Sequence, residues 1–400
     1  MGKKSIIVVL LSVILLAALL PLFRSKEIKD QAGNSFAGSA SCARCHQKIA
    51  ETYAHTDHFW DSREADSRSV KGKFVRDSDY VMFNYDPNNI VVMHKRFGSL
   101  YQTHYLNNEK RESREFDIAI GSGRKGQSYL YWDKGRLFEL PVSYYTPEDQ
   151  WVVSPGYSSQ HVDFKRMVTP RCLECHTTYA QFTEDTLQHT AQFGKNQMIY
   201  GITCEKCHGP GGRHVEFQEA NPAEKTARYI VKTKQLSRDL QMDACGMCHA
   251  GAMKNILPAF TFRPGLALSK YYEFNELKDS TADVHGNQVQ LLSSSKCYKM
   301  GDGMSCSTCH DVHANHRGDL AFYAGKCITC HSDYKALHQT DVRFADQVLL
   351  EKCIDCHMPN LPSKVMNMNS DLFARTKPVL IRSHLIKIYQ GKSNAILSGQ

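Results

Sequence analysis

The stretch Cys306–His316, CSTCHDVHANH, sets two cysteines three residues apart, a histidine directly after them, and two more histidines at positions 313 and 316. The first five residues are one copy of a repeated unit. CxxCH also occurs at Cys42–His46, Cys172–His176, Cys204–His208, Cys245–His249, Cys327–His331 and Cys353–His357. Fourteen of the 15 cysteines are used in this way. They pair as Cys42 with Cys45, Cys172 with Cys175, Cys204 with Cys207, Cys245 with Cys248, Cys306 with Cys309, Cys327 with Cys330 and Cys353 with Cys356, which leaves Cys297.

A zinc knuckle or a dithiol redox pair needs no histidine at the fifth position. With His at 19 of 400 residues, seven such histidines by accident have odds on the order of one in 10⁹, whereas CxxCH is the attachment motif for c-type haem. Two thiols on one helical turn meet the two vinyl groups of a haem and form thioethers, and the next residue presents its imidazole to the iron. The sequence therefore predicts seven covalent haems c, with His46, His176, His208, His249, His310, His331 and His357 as proximal iron ligands. Each haem brings two propionates, so roughly 14 negative charges would meet the apoprotein's formal +8, and part of the Lys and Arg excess is expected to pair with them. No block of five basic residues occurs, and nucleic acid is not an expected partner.

Motif spacing sets the organisation. Cys42 and Cys172 are separated by 130 positions, while the later motif starts follow at steps of 32, 41, 61, 21 and 26. The last six motifs leave too few residues per haem for a conventional core, so haem faces are expected to supply much of the buried apolar surface and to lie close enough for a continuous electron path. The long gap reads as β structure: YVMFNYDPNNIVVMHKRF (Tyr80–Phe97) and SYLYWDKGRLFELPVSYY (Ser128–Tyr145) each hold two β-rich runs split by a turn. GSGRKGQ (Gly121–Gln127) lacks the ending of a phosphate-binding loop and reads as a tight turn lying against a haem or the surroundings of the first motif. The expected fold is mainly α or irregular, a multihaem cytochrome c with a haem-packed core and a β-rich insertion between motifs one and two. The expected divisions are 1–26, a signal peptide or membrane anchor; 27–67, the first haem segment; 68–160, the β-rich insertion; and 161–400, a six-haem core that is helical or irregular.

The chain opens with Lys3 and Lys4 followed by an apolar run from Ile6 to Phe23, about the shortest length that spans a bilayer. No small-residue cleavage site follows directly. The reading is an exported or periplasmic protein, held to the inner membrane by residues 6–23, with a cleaved signal as the alternative.

Each iron has a second axial position, which another His closes for electron transfer or which stays open for substrate. Twelve histidines lie outside the motifs. Proximity to motifs selects His58, His161, His214, His285, His313 and His384 as distal candidates, with His55 and His338 next; His384, in LIRSHLIKIY, is expected on an apolar C-terminal helix. His94, His104 and His189 are weaker candidates, and His316 reads as a surface or propionate-side residue. His313 sits on the proximal side of its own motif, so it is expected to reach the iron of a neighbouring haem. Cys297 reads as a buried unreactive thiol, with a haem ligand or a site for sulfur chemistry as alternatives.

CEKCHGPGGRH, CSTCHDVH and CIDCHMP, followed by a late His, resemble the multihaem cytochromes c of the cytochrome c-554 and hydroxylamine oxidoreductase grouping. IGSGRKGQSYLYW…LFELPVSYY is similar to a β segment after the first haem of larger exported relatives. The resemblance spans most of residues 40–390 and implies that His214, His313 and His384 ligate neighbouring haems. Seven motifs match neither the four of the small carrier nor the eight of the large enzyme, so activity does not carry over. The expected function is an exported heptahaem carrier with mostly bis-His haems, relaying electrons in a periplasmic respiratory chain from a quinol-side donor to a terminal reductase or oxidase. The alternative is an oxidoreductase with one open-coordinate haem acting on a small nitrogen or sulfur compound. No Lys replaces His in any motif, which removes the signature of one nitrite-reductase type.

Overall fold

The computed structural model describes residues 27–74, 81–185, 190–274, 282–338, 346–369 and 376–390. The apolar run 6–23 and His189 lie outside these residues. Among the described residues no helix is long and apolar enough to cross a membrane.

Ten strands build a β module between the first two motifs: β1 (Ser62–Glu64), β2 (Val81–Asp86), β3 (Asn89–Arg96), β4 (Ser99–Leu106), β5 (Glu109–Glu115), β6 (Ile118–Ile120), β7 (Gly126–Asp133), β8 (Arg136–Glu139), β9 (Val142–Tyr145) and β10 (Gln150–Val153). Strands β2-β3-β4-β5 form an antiparallel meander, and β1-β6-β7-β9-β10 form a second sheet, with β8 also paired to β7. Three of the hairpins turn on residue pairs at positive φ: Phe97–Gly98, Asn107–Asn108 and Lys134–Gly135. Two left-handed residues in a two-residue turn match the twist of the flanking strands. The free edge β5, EKRESRE, is almost wholly charged, which discourages pairing with another chain.

The two sheets share one core that includes Phe83, Val91, Met93, Phe116, Tyr129, Leu140, Val142 and Trp151. Gln102 is fully buried there, donating from Nε2 to the Val142 carbonyl at 2.6 Å and accepting the Val142 N–H at 3.2 Å, so β4 is pinned to β9. A buried amide satisfied at both ends fixes register where apolar contacts alone would slide.

The motif-rich remainder is packed differently. Its helices are short, and several consist of little more than a CxxCH turn, such as Cys204–His208, Cys306–Cys309 and Cys353–His357. Beyond Leu292, the buried apolar residues among those described are Ala324, Ile354, Met368 and Val379. Few apolar side chains are buried there among the described residues; Met368 and Val379 pack with Val152.

Two expectations about this half need correction. Residues after 161 are not only helical or irregular: β11 (Thr177–Asp185) and β12 (Thr190–Tyr200) form a long antiparallel hairpin, supported by β-branched and aromatic residues including Thr177, Thr178, Tyr179, Phe182 and Phe193. His384 is not on a helix. It follows the last strand of the hairpin made by β15 (Asn360–Met368) and β16 (Lys377–Arg382), where Pro378, Val379 and Ile381 favour extended backbone. Two short strands, β13 (Met253–Asn255) and β14 (Tyr272–Phe274), pair between these hairpins.

Candidate functional site

The site is built from imidazoles brought face to face. His208 and His313 have ring centroids 6.2 Å apart and planes 6° from parallel. His58 and His249 are separated by 6.2 Å at 64°, His310 and His384 by 6.1 Å at 25°, and His338 and His357 by 6.2 Å at 76°. Each pair joins a motif histidine to a histidine from a distant or neighbouring segment. The spacing is informative, because it is too long for stacking and too uniform for chance. Two metal–imidazole bonds of about 2 Å plus two ring radii of about 1.1 Å add to about 6.2 Å. The donor set therefore fits an iron held between the rings of each pair.

Protonation and tautomer fit as well. Burial first, then the facing imidazole, brings His249 and His384 down to about 4. Burial, followed by His208, likewise lowers His313. Neutral imidazole is the ligating form. The His208 Nδ1 lies 2.7 Å from the Val231 carbonyl, and the His357 Nδ1 is 3.1 Å from the Lys387 carbonyl. Holding Nδ1–H on a backbone acceptor fixes the ring and turns Nε2 toward a metal.

The motifs are also brought to one another. Across motifs, Cys42 sits beside Cys204, Cys175 beside Cys248, Cys245 beside Cys306 and Cys327 beside Cys353, and the Cys248 Sγ lies 3.8 Å from the Cys175 carbonyl. Cys245 and Cys207, and Cys309 and Cys330, are near enough to feel each other's charge. In motif number the contacts run one–three–four–five–six–seven, with motif two attached to motif four. Cys45 closes the helix Ser39–Cys45 and is exposed, and Cys356 lies half-buried on the helix Cys353–His357. Cys45 thus stands one helical turn from Cys42, and Cys356 one turn from Cys353, as a two-point thioether attachment requires. Cys297, on the helix Lys296–Met300, is half-buried with its thiol pushed up by burial, and it lies near Cys309 and Cys330.

Of the expected distal histidines, His58, His313, His338 and His384 face motif histidines, and His313 faces motif three rather than its own motif. His55, His161, His214 and His285 are not paired with a motif imidazole among the described residues. His55 and His161 are exposed. His285 is exposed, in a turn after Asp283. His214 nevertheless carries a ligand-like anchor, with Nδ1 2.8 Å from the Arg228 carbonyl. Its helix, Gly212–Ala220, is tied to the first motif by the Arg44–Glu219 ion pair at 2.8 Å. His94 and His104 spend Nε2 on Thr103 at 2.7 Å and Asn89 at 2.8 Å, which keeps them within the β module. His316 stacks flat on Phe322 with centroids 3.7 Å apart.

Several residues were not singled out by the sequence. Glu205, the first variable residue of CEKCH, is buried and accepts the backbone N–H groups of Ala37, Gly38 and Gly211 at 2.7–2.9 Å. Glu174, inside CLECH, is buried and accepts from the Tyr272 hydroxyl, the Phe260 N–H and Arg171. Asp355, inside CIDCH, pairs with Arg382 at 2.8 Å. A carboxylate at a variable motif position was the available signal. Asp61 carries no such signal; its carboxylate is 3.0 Å from His176 Nδ1. The Gly121–Gln127 turn packs against this same segment, with the Gly121 N–H on the Asp61 carbonyl and Arg124 on Asp57.

Residues 153–209, which hold motifs two and three, match the family model described as cytochrome c554 and c-prime. Over an alignment 264 positions long that covers 56% of this chain, the sequence is 23% identical to the dissimilatory sulfite reductase MccA of Wolinella succinogenes, and the match covers 33% of that protein's length. The fold is similar to the outer cell wall cytochrome OcwA, with a TM-score of 0.56 and 16% identity over 91% of this chain and 82% of that one. A cytochrome family match centred on two of the CxxCH turns, together with a fold similar to that of a solved cytochrome, supports a multihaem c-type cytochrome grouping.

Proposed function

We propose that the chain is an exported heptahaem electron carrier whose seven haems form one closely spaced path. The observation that carries this reading is the set of four imidazole pairs at 6.1–6.2 Å. An iron with both axial positions taken exchanges electrons and has no place for substrate. Bound haem c supplies reversible one-electron storage, and the protein's part is to hold, space and shield it. Each CxxCH turn would hold one haem through two thioethers, and its histidine would ligate the iron. At the two ends of the path these thioethers would form on Cys42 and Cys45, and on Cys353 and Cys356. His58, His313, His338 and His384 would supply the second ligand at motifs four, three, seven and five. His214 is proposed for motif one, on the strength of its anchored Nδ1 and the Arg44–Glu219 link. Cross-motif contacts between the cysteines support an uninterrupted path. Export, anchoring by residues 6–23, and redox partners on the quinol side and at a terminal reductase or oxidase belong to the same proposal, with the outer cell wall cytochrome OcwA as support for export.

A second reading has its own support. The relative from Wolinella succinogenes is named as a sulfite reductase, and His46, His176 and His331 face no imidazole among the described residues. An open axial position at one of these motifs would make the chain an oxidoreductase for a small nitrogen or sulfur compound.

Pyridine haemochrome assay and low-temperature EPR of the oxidised protein test both readings. The carrier reading expects seven haems per chain and only low-spin signals. A high-spin signal that changes when nitrite, hydroxylamine or sulfite is added overturns it in favour of the second, and clearly fewer than seven haems overturns the count.

A further inference from the structure

We propose that Asp61 is a positioning residue that holds His176 and lowers the reduction potential of the haem on Cys172 and Cys175 relative to the haem of motif four. The inference rests on the reading that the CxxCH motifs carry haem.

The motif histidines differ in what holds Nδ1. His208 and His357 use backbone carbonyls, at 2.7 and 3.1 Å, and His310 has the Tyr323 hydroxyl at 3.5 Å. His176 instead has the Asp61 carboxylate at 3.0 Å, the one carboxylate found on a motif imidazole among the described residues. A carbonyl orients the ring, while a carboxylate also draws on the Nδ1 proton and returns electron density to Nε2. A more basic axial imidazole favours ferric over ferrous iron, so the motif-two site becomes the harder one to reduce.

Asp61 is held in place by its surroundings. Its N–H donates to the His58 carbonyl at 3.2 Å, and its carbonyl accepts the Gly121 N–H at 2.6 Å. Gly121 sits at φ +95°, and a Cβ there would lie 2.7 Å from the Gly126 carbonyl oxygen, so the turn that braces Asp61 requires glycine. His58, three residues earlier, faces His249 of motif four, and the Cys175 and Cys248 thiols join the same two motifs. One four-residue segment, His58–Asp61, thus provides an axial imidazole to motif four and the buttressing carboxylate to motif two. This gives the pair a built-in direction, with motif two as the electron-donating member.

The experiment is an optical redox titration with low-temperature EPR on the full holoprotein, comparing wild type with Asp61→Asn and Asp57→Asn. Asp57 belongs to the same segment and loses a charge and two ion pairs, with Arg124 and Arg317, but does not touch a motif imidazole. Haemochrome counts come first: a wild type without haem defeats the cytochrome reading, whereas full haem content isolates the present inference. Asp61→Asn is expected to raise one component by about tenfold in its ferric-to-ferrous equilibrium, about 59 mV for a one-electron couple, and to change one low-spin signal. Asp57→Asn is expected to leave that component in place. Unchanged potentials in Asp61→Asn, or an equal shift in Asp57→Asn, overturn the proposal. Should Asp61→Asn assemble short of one haem, Asp61→Glu keeps a carboxylate for Nδ1 and is expected to retain the low-potential component; a fully loaded Glu variant with that component raised overturns it equally.

Discussion

Replacing His313 with alanine should convert one haem from low to high spin and leave the others alone. The ring of His313 lies 6.2 Å from His208 and nearly parallel to it, at 6°, so the ligand removed belongs to motif three and not to its own motif. If all seven motifs carry haem, one haem is about 14% of the total, and that fraction should appear as high-spin intensity in EPR of the oxidised protein. Ring orientation adds a second, independent readout. Near-parallel axial imidazoles separate the iron d orbitals most strongly, whereas near-perpendicular ones leave them close in energy. The four pairs divide into a near-parallel class, at 6° and 25°, and a steeply crossed class, at 64° and 76°. The lost signal should come from the near-parallel class, and free imidazole should restore it. Unfolding does not confuse the result. His313 also meets Tyr53 edge-on at 6.2 Å, and losing such a contact costs about 0.5–1.5 kcal/mol, small beside the roughly 5–15 kcal/mol of a folded protein. A spectrum with no new high-spin component, or one in which a steeply crossed signal disappears, would refute the assignment.

Four further outcomes follow from single contacts. Glu205→Gln removes a charged acceptor from three buried or half-buried N–H groups; a loss of about 1.5–3 kcal/mol should speed amide exchange at Ala37, Gly38 and Gly211 about 10- to 100-fold, and unchanged exchange there would count against a structural role. Gln102→Ala empties a fully buried position and strands both backbone groups of Val142; about 2–4 kcal/mol should be lost from the β module, read as faster exchange in β4 and β9. Gly121→Ala forces a side chain onto φ +95° and into the Gly126 carbonyl, and an expected cost of about 1–3 kcal/mol should loosen the turn, read as new protease cleavage near residue 121. Covalent attachment predicts haem staining that survives denaturing electrophoresis and acid–acetone extraction, and that falls by one-seventh when Cys306 and Cys309 are both changed to Ser.

What could be read from the sequence follows the range of the physics. The thioether turn is local chemistry, so CxxCH announces itself within five residues. The β meander is nearly as local, because its turns and alternating strands are set by neighbours such as Asn107–Asn108 and Lys134–Gly135. Distal pairing is tertiary. Nothing near His384 in the sequence indicates that it will face His310, and its local pattern was misleading, since LIRSHLIKIY looks apolar and helical while Pro378 and the branched residues before it extend the chain. The β11–β12 hairpin was obscured for a related reason: motif two ends at His176, and strand residues begin at the very next position. Asp61 had no local pattern at all, being one acid among 41 Asp and Glu residues until the fold brings it to His176.

The variable positions of CxxCH give the clearest link between the repeated motif and the single fold. Attachment chemistry fixes the cysteines and the histidine and leaves the two middle residues free. Three motifs put a carboxylate there, and each carboxylate reaches a segment far away in sequence: Glu174 reaches Phe260 and Tyr272, Glu205 reaches Ala37 and Gly38, and Asp355 reaches Arg382. Where buried, such a group is costly unless fully satisfied, so Glu174 and Glu205 tolerate only the arrangement that supplies their donors. Seven near-identical turns could stack in many orders with similar apolar gain. Carboxylates that each accept only their own donors discriminate among those orders, fixing motif one against motif three and motif two against the segment around residue 260. In a chain whose later half has few buried apolar side chains, these polar ties are what select one arrangement of motifs, and with it the order in which electrons would pass.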